Sequence, residues 1–347
     1  MPDVQAPVQY VRLGKSGLRV SVPIFGAMSL GSSEWFPWAL EGDEAFRVLK
    51  VAWDRGINTF DTANMYSNGE SEKVLGDFIQ KYNIPRSEIL ILTKCFHVVH
   101  QEPSVQGILH PELKNLREYV NKTGLSRAAI FNAVEDSLAR LKTTYIDLLQ
   151  IHRFDPNVEP EETMKALHDL VQSGKVRYIG ASSMRAWQFA MLNEVAEKNG
   201  WTKFVSMQNE YSLLYREEER EMNAYCKYYG IGLIPWAPIA GGLLARPIGQ
   251  AATTRSEFLE GIGMVELPSE SDKAIISRVQ EIAEKRGKSM AQVSSAWVNA
   301  KVTSPILGLA SEKRVEEAVE INGLTLTVEE MEYLEELYQP KVVRGHA

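Results

Sequence analysis

Short, almost continuously apolar runs alternate along this chain with longer segments in which apolar residues return every three or four positions. Eight runs have the length of a strand: Ile24-Phe25-Gly26-Ala27, Asn58-Thr59-Phe60-Asp61, Ile89-Leu90-Ile91-Leu92, Asp147-Leu148-Leu149-Gln150, Arg177-Tyr178-Ile179-Gly180, Val205-Ser206-Met207-Gln208, Gly232-Leu233-Ile234-Pro235 and Ser304-Pro305-Ile306-Leu307. Most lack the polar alternation of a half-exposed strand, as expected when both faces of a parallel sheet are covered. Between them Ile130, Val134, Leu138 and Leu141 fall on one stripe of a helix. Ser289-Met290-Ala291-Gln292 and Thr327-Val328-Glu329-Glu330 have the capping-box pattern that opens a helix. Ahead of the first strand, Tyr10-Val11-Arg12-Leu13 and Leu18-Arg19-Val20 flank Gly14-Lys15-Ser16-Gly17, which predicts a small hairpin.

Eight strand–helix pairs in strict order, with no linker or low-complexity tract between them, predict an α/β protein: a single (β/α)8 TIM barrel occupying residues 1–347, with its core at about 10–338. Two connections are long, from Cys95 to Leu125 after the third strand and from Ala237 to Ser271 after the seventh. Connections of this length in a compact domain usually serve as lids or binding loops. Both leave the carboxyl ends of strands, where such barrels carry their active sites.

Composition narrows the function. Lysine and arginine number 38 against 45 aspartates and glutamates, a net charge of −7, so there is no field to attract a nucleic-acid backbone. The two cysteines, Cys95 and Cys226, have no metal-ligand spacing and cannot staple a fold of this size, which points to a reducing compartment. No basic segment followed by an apolar run opens the chain, and no apolar stretch reaches the ~18 residues of a membrane span. A cytoplasmic protein is the expectation, with neither nucleic acid nor membrane as partner.

Polar residues gather at the strand ends. The second strand runs into Asp61, with Tyr66 five positions on; the third leads to Thr93-Lys94; the fourth leads through Gln150-Ile151 to His152. In a closed barrel these tips ring one mouth, so Asp61, Tyr66, Lys94 and His152 can converge. A tyrosine, with an ordinary pKa of ~10, gives up its proton more readily beside an ammonium, and a buried lysine keeps its charge only beside a carboxylate. Taken one at a time, each residue has an ordinary structural use as a rim tyrosine or a plain ion pair. Four at successive tips of one face favour a site. Trp35-Phe36-Pro37-Trp38, after the first strand, reads equally as core or as the wall of an aromatic substrate pocket. His97 and His100 lack an evident third metal ligand, and Cys95 reads as a buried thiol in preference to an activated one.

Gly56-Ile57-Asn58-Thr59-Phe60-Asp61-Thr62-Ala63 with Tyr66, Ile91-Leu92-Thr93-Lys94, and Asp147-Leu148-Leu149-Gln150-Ile151-His152 closely resemble the signatures of the aldo-keto reductases. Gly174-Lys175-Val176-Arg177-Tyr178-Ile179-Gly180-Ala181-Ser182-Ser183 and Gln208-Asn209-Glu210-Tyr211 extend the likeness over essentially the whole chain. Within the family it looks most like the branch of fungal aryl-alcohol dehydrogenases and versiconal hemiacetal acetate reductase. The resemblance implies reduction of an aldehyde or ketone by NADPH, with NADH the less favoured cofactor, in secondary metabolism on an aromatic or polyketide-derived substrate. It makes Tyr66 the general acid, Lys94 and Asp61 the groups that tune it, and His152 the residue that orients the carbonyl, with Met28 and Trp35 beside the substrate. Asp61, Ser182, Ser183, Gln208 and Trp236 would meet the nicotinamide half of the cofactor. Pro238, Gly242, Leu243 and Arg246 would meet its phosphates, and Arg314 and Glu317 its adenosine half. Many members have Asn at Ser183, Lys at Gly308 and Asn at Ala318, so hold on the carboxamide and the 2′-phosphate differs here.

No GxGxxG follows a first strand, which leaves a Rossmann reading without support. Two other functions share the barrel: a Schiff-base lyase or aldolase working through Lys94, and a non-catalytic NADPH-binding regulatory subunit. Tyr66 and the Ser182-Ser183 pair have no role in the first, and the full set of tip residues gives no sign of the lost catalysis that the second requires.

Overall fold

The computed structural model describes residues 8–251, 253–261 and 267–346. Residues 1–7, which open the chain, lie outside the described part, as do 252, 262–266 and 347. A two-stranded antiparallel hairpin, β1 (Gln9–Arg12) and β2 (Arg19–Val22), precedes eight parallel strands: β3 (Ile24–Gly26), β4 (Thr59–Asp61), β5 (Leu90–Cys95), β6 (Ile146–Ile151), β7 (Val176–Ser182), β8 (Ser206–Gln208), β9 (Gly232–Leu233) and β10 (Ile306–Gly308). The eight pair in sequence order from β3 to β9, and β10 returns beside β3. Closure between the seventh and eighth strands depends on a few bonds, because Pro235 lacks an N–H. Thr303 and Ile306 donate to the carbonyls of Leu233 and Pro235, at 3.0 Å each. A single (β/α)8 barrel results.

Most strand boundaries fall within two residues of the sequence pattern, and β5 is the exception. The apolar run stops at Leu92, yet β5 continues through Thr93, Lys94 and Cys95. Polar residues persist there because alternate positions have different partners. Leu90 and Leu92 face the barrel interior with Lys94, while Ile91 and Cys95 pack outward against the helices. Thr93 also points outward, donating at 2.6 Å to the buried Glu72. In β6, Leu148 faces inward and Leu149 and Ile151 face outward.

The interior is therefore layered. Ile24, Leu92, Leu148, Ile234 and Ile306 form an apolar plug closed from below by Leu13 and Val20 of the hairpin. Gly14, at φ +59° in the hairpin turn, sits so close to the chain at 230–232 that a Cβ would lie 2.3 Å from the Gly230 oxygen. One layer above the plug the inward positions turn polar, and there Asp61, Lys94, Gln150 and Gln208 meet.

Both helix starts read from the sequence are present. Ser289 and Thr327 cap the helices Met290–Asn299 and Val328–Glu335, each with a reciprocal capping box. The stripe of Ile130, Val134, Leu138 and Leu141 lies on the buried face of Arg127–Leu141. That helix packs tightly on Glu70–Lys81 at Gly76, where a Cβ would lie 2.8 Å from the Arg140 oxygen and 2.9 Å from the Leu141 carbonyl carbon.

Gly76→Ala should therefore destabilise the barrel. Alanine gains about 1 kcal/mol in helix propensity, but the clash is with backbone, and overpacking costs about 1–3 kcal/mol. Urea unfolding should show a lower midpoint with an unchanged slope; a midpoint equal to or above that of the parent would show that the two helices separate freely.

Candidate active site

Lys94 is held at the polar layer by three acceptors. Its Nζ donates to Asp61 Oδ1 at 2.6 Å, to the Thr62 carbonyl at 2.8 Å and to the Tyr66 hydroxyl at 3.4 Å, and it lies 5.0 Å from the Tyr66 ring centre. Both Lys94 and Asp61 are buried. The second carboxylate oxygen is satisfied as well, since Gln150 and Gln208 donate to Asp61 Oδ2 at 3.0 and 2.8 Å, and Gln208 also donates to the Gln150 side-chain oxygen. Burial alone would lower the pKa of Lys94, but Asp61 and, after it, Tyr66 together outweigh burial and leave the ammonium more firmly protonated than usual. Burial pushes the Tyr66 phenol above its ordinary value, and Asp61 adds to this while Lys94 pulls it down. The pull expected of Lys94 is present, but burial exceeds it.

Tyr66 owes its position to a strained turn. Ser67 and Asn68 follow it at φ +48° and +51°, and Gly69 at +95°. Left-handed conformations at two consecutive residues other than glycine persist only where surrounding contacts enforce them. Here Asn68 donates to the carbonyls of Glu102 and Val105 at 2.9 and 2.7 Å and accepts from the His100 amide at 3.0 Å. The Ser67 hydroxyl accepts from the Ser32 amide. The loop after β5 and the loop after β3 thus fix the tyrosine between them.

His152 follows β6, its ring 6.1 Å from Tyr66 and 4.9 Å from His97, edge to face in both cases. Its Nδ1 is buried without a hydrogen-bond partner among the described residues. Burial comes first among the causes that hold both histidines neutral, taking His97 down to about 3 and His152 well below its ordinary range, with the Arg153 charge adding to each. His97 thus takes its place as a wall of the site. Cys95 is a plain buried thiol, burial raising its pKa to about 12.

Trp35 is buried 6.4 Å from the Tyr66 ring, and Met28 packs on the same cluster with Phe36, Ala63 and Met65. The aromatic loop is therefore packed as core directly beside Tyr66. Phe258, in the helix Thr254–Gly261 of the loop after β9, packs edge-on against Phe36 and Trp38 at 5.8 and 5.4 Å, so the first and seventh loops meet across the rim.

Next along the ring of strand tips, Ser182 donates to the Gln208 carbonyl at 2.6 Å and Ser183 takes φ +39°. The Trp236 indole N–H donates to Ser183 Oγ at 3.1 Å. Gly241 and Gly242 follow at φ +66° and +108°, with open space where a Cβ would be. Pro238 and Leu243 flank the same turn. Arg246 is engaged within its own loop, donating to the Ala251 carbonyl and to Ser256. Arg314 opens the helix Glu312–Val319 under the Ser311 cap, and Glu317, in the same helix, lies near Ser289 and Lys313. Sequence reasoning missed Arg255. Its Nε is buried without a partner among the described residues, and burial together with the neighbouring Arg314 disfavours its charge. Two arginines with that environment are suited to an anion. An isolated cation in a long loop was the available signal, and the pairing with residue 314 was invisible without the fold.

Two further features were not evident in the sequence. Gln150, two positions before His152 and on the same strand face, supports Asp61. The C-terminal segment folds back over the mouth: Lys341 pairs with Asp272, Arg344 with Glu210 and His346 with Glu218, and Gly345 lies against Trp236.

The profile of the aldo/keto reductase family matches residues 24–339, and the chain belongs to that family of oxidoreductases. It is 53% identical over 346 residues to an aldo-keto reductase of Fusarium vanettenii, covering 98% of this chain and 94% of that protein. It is 50% identical to the versiconal hemiacetal acetate reductase of Aspergillus parasiticus (97% and 98% covered) and to a putative aryl-alcohol dehydrogenase of Schizosaccharomyces pombe (98% of each). The family acts on carbonyl groups and generally uses NAD(P)H. Among the described residues no helix is long and apolar enough to cross a membrane.

The two neutral histidines set a pH dependence of stability. Their pKa values are depressed by folding, so their contribution is fully present above the unfolded value near ~6.5 and is lost as pH falls towards about 3 for His97. His97→Gln should make the fall in unfolding free energy between pH 6.5 and 5 shallower by up to about 1.4 kcal/mol per pH unit. Parallel pH curves for variant and parent would show that His97 is not held neutral by the fold.

Proposed function

We propose that this chain is a single-domain, cytoplasmic, NADPH-dependent carbonyl reductase in which Tyr66 protonates the carbonyl oxygen. The observation that carries the reading is the buried chain Asp61–Lys94–Tyr66, ending at a mouth that also holds His152. When bound, the reduced nicotinamide supplies the hydride. The chain's own residues handle the proton and the charge. The Tyr66 hydroxyl donates to the carbonyl oxygen as negative charge develops there, and Lys94 stabilises the phenolate that remains. Asp61 keeps Lys94 charged, and the two glutamines hold Asp61 in place by donating to its second oxygen. His152, neutral, offers one N–H to fix the carbonyl oxygen without adding charge to the site.

The residues present fit the cofactor. Ser182, Ser183 and Gln208 offer polar atoms for a carboxamide, and Trp236 an aromatic face. The positive-φ turn at Gly241-Gly242, with Pro238 and Leu243 beside it, leaves its backbone open to a pyrophosphate. Arg255 and Arg314 supply the unpaired cations that suit a 2′-phosphate, with Glu317 nearby for the adenosine. Trp35 and Met28 beside Tyr66 favour an aromatic substrate, and the versiconal hemiacetal acetate and aryl-alcohol names of the relatives agree with a polyketide-derived or aryl carbonyl in secondary metabolism. The lyase reading fits poorly. Imine formation needs a neutral amine within reach of substrate, and Lys94 is buried, triply bonded and more firmly protonated than usual.

Tyr66→Phe should retain NADPH binding while kcat for a simple aldehyde falls by roughly 10²- to 10⁴-fold, the usual contribution of a general acid. Near-normal turnover would remove Tyr66 from the chemistry. Lys94→Met should move the alkaline limb of the pH–rate profile for reduction to higher pH, because the charge opposing the effect of burial is gone; an unmoved limb would uncouple the two residues.

Cofactor preference is tested at the arginine pair. Arg314→Ala and Arg255→Ala should each weaken NADPH by about 1–3 kcal/mol, as expected for a charged hydrogen bond, with a much smaller effect on NADH. Equal losses for the two cofactors, measured by fluorescence titration, would show that the pair does not read the phosphate.

A further inference from the structure

Arg153 stands one residue beyond His152 at the mouth of the barrel, and nothing in the proton chain uses it. Its Nη1 donates to the His152 carbonyl at 2.6 Å, which folds the guanidinium back onto the end of β6. The neighbouring His152 ring contacts both Tyr66 and His97. Arg153 is partly buried and forms no ion pair among the described residues. Glu210, the carboxylate whose charge reaches it, has both oxygens engaged by Arg344 at 3.0 and 2.8 Å. Asp61 is likewise committed to Lys94 and the two glutamines.

A guanidinium withdrawn from water without a counter-ion is costly to the free protein, and that cost is relieved when an anion arrives. We propose that Arg153 recognises an anionic substituent of the substrate, so that the carbonyl compound reduced at Tyr66 also bears a carboxylate. The guanidinium fork has several N–H groups beyond the one bonded to His152, in a plane suited to two carboxylate oxygens. A carboxylate suits this place better than a phosphate, because one cation is available there. Burial keeps His97 and His152 neutral, so neither histidine competes with Arg153 as a counter-charge.

This inference rests on the reductase reading of the same mouth, and the test separates the two. With NADPH as cofactor, reduction of 3- and 4-carboxybenzaldehyde is compared with that of their methyl esters, which share the aldehyde and the ring but lack the charge. The parent enzyme should favour the carboxylate of at least one pair by roughly ten- to hundredfold in kcat/KM, as expected for a charged hydrogen-bonded contact. In Arg153→Met that ratio should fall to about one, mostly through KM, and Arg153→Lys should recover part of it because charge returns without the fork. Tryptophan quenching by 4-(hydroxymethyl)benzoate, the product, should weaken in parallel, which gives a readout free of turnover. Absence of a preference in the parent, or a ratio unchanged in Arg153→Met, would overturn the proposal. So would an equal loss on acid and ester with a displaced pH profile, since Arg153 would then act on Tyr66 and not on the substrate. Failure of the parent to reduce any of the four aldehydes would instead overturn the reductase reading.

Discussion

The ammonium of Lys94 has no access to water, and the rest of the mouth is arranged around that fact. A buried ion pair recovers its desolvation cost only with excellent geometry and with every remaining lone pair and proton satisfied. That condition is met from four strands: Asp61 ends β4, Lys94 lies in β5, Gln150 in β6 and Gln208 ends β8. Loss of one partner would leave an uncompensated charge inside the barrel, typically a cost of about 3–5 kcal/mol. The pair therefore fixes the register of the strands as firmly as the apolar plug beneath it. The same geometry leaves the Tyr66 hydroxyl at the end of the chain Asp61–Lys94–Tyr66.

Charge at the mouth is sorted by burial. Lys94 is held charged beside Asp61, and His97 and His152 are neutral because burial disfavours their charged forms. Glu210 is taken by Arg344 of the tail, and Arg153 has no carboxylate partner among the described residues. Farther round the rim Arg255 and Arg314 reinforce one another's positive potential. The mouth thus has neutral histidines beside Tyr66 and cations farther round, an arrangement that suits the proposed chemistry, in which charge develops on a carbonyl oxygen.

The loops carry the constraints that the barrel cannot supply. Asn68 ties the turn after Tyr66 to the long loop after β5, and Phe258 ties the loop after β9 to the aromatic segment after β3. The tail latches by ion pairs onto Asp272, Glu210 and Glu218. Each contact joins segments far apart in sequence, and those of Asn68 hold the turn that carries the tyrosine.

Local order was legible from the residues because it obeys short periods. The alternation of apolar runs and helical stripes gave the eight-fold count, and the polar residue at each strand tip gave Asp61, Lys94 and His152. Tyr66 stood near enough to Asp61 to be read with it. Trp35 was ambiguous, since an aromatic run after a strand fits core and pocket alike, and it is buried beside the Tyr66 ring. Which groups satisfy which charges was not legible. Gln208 meets Asp61 across 147 positions, and Arg344 meets Glu210 across 134, so these pairings depend on strand register and on the path of a tail with no periodicity. The absence of a carboxylate beside Arg153, and the approach of Arg255 to Arg314, are likewise properties of packing. The sequence by itself determined the barrel and the residues at its mouth, because period and position along a strand are local. Only the tertiary structure decided which of those residues are buried, paired or left without a counter-ion, because desolvation and charge pairing depend on neighbours that the chain brings together from a distance.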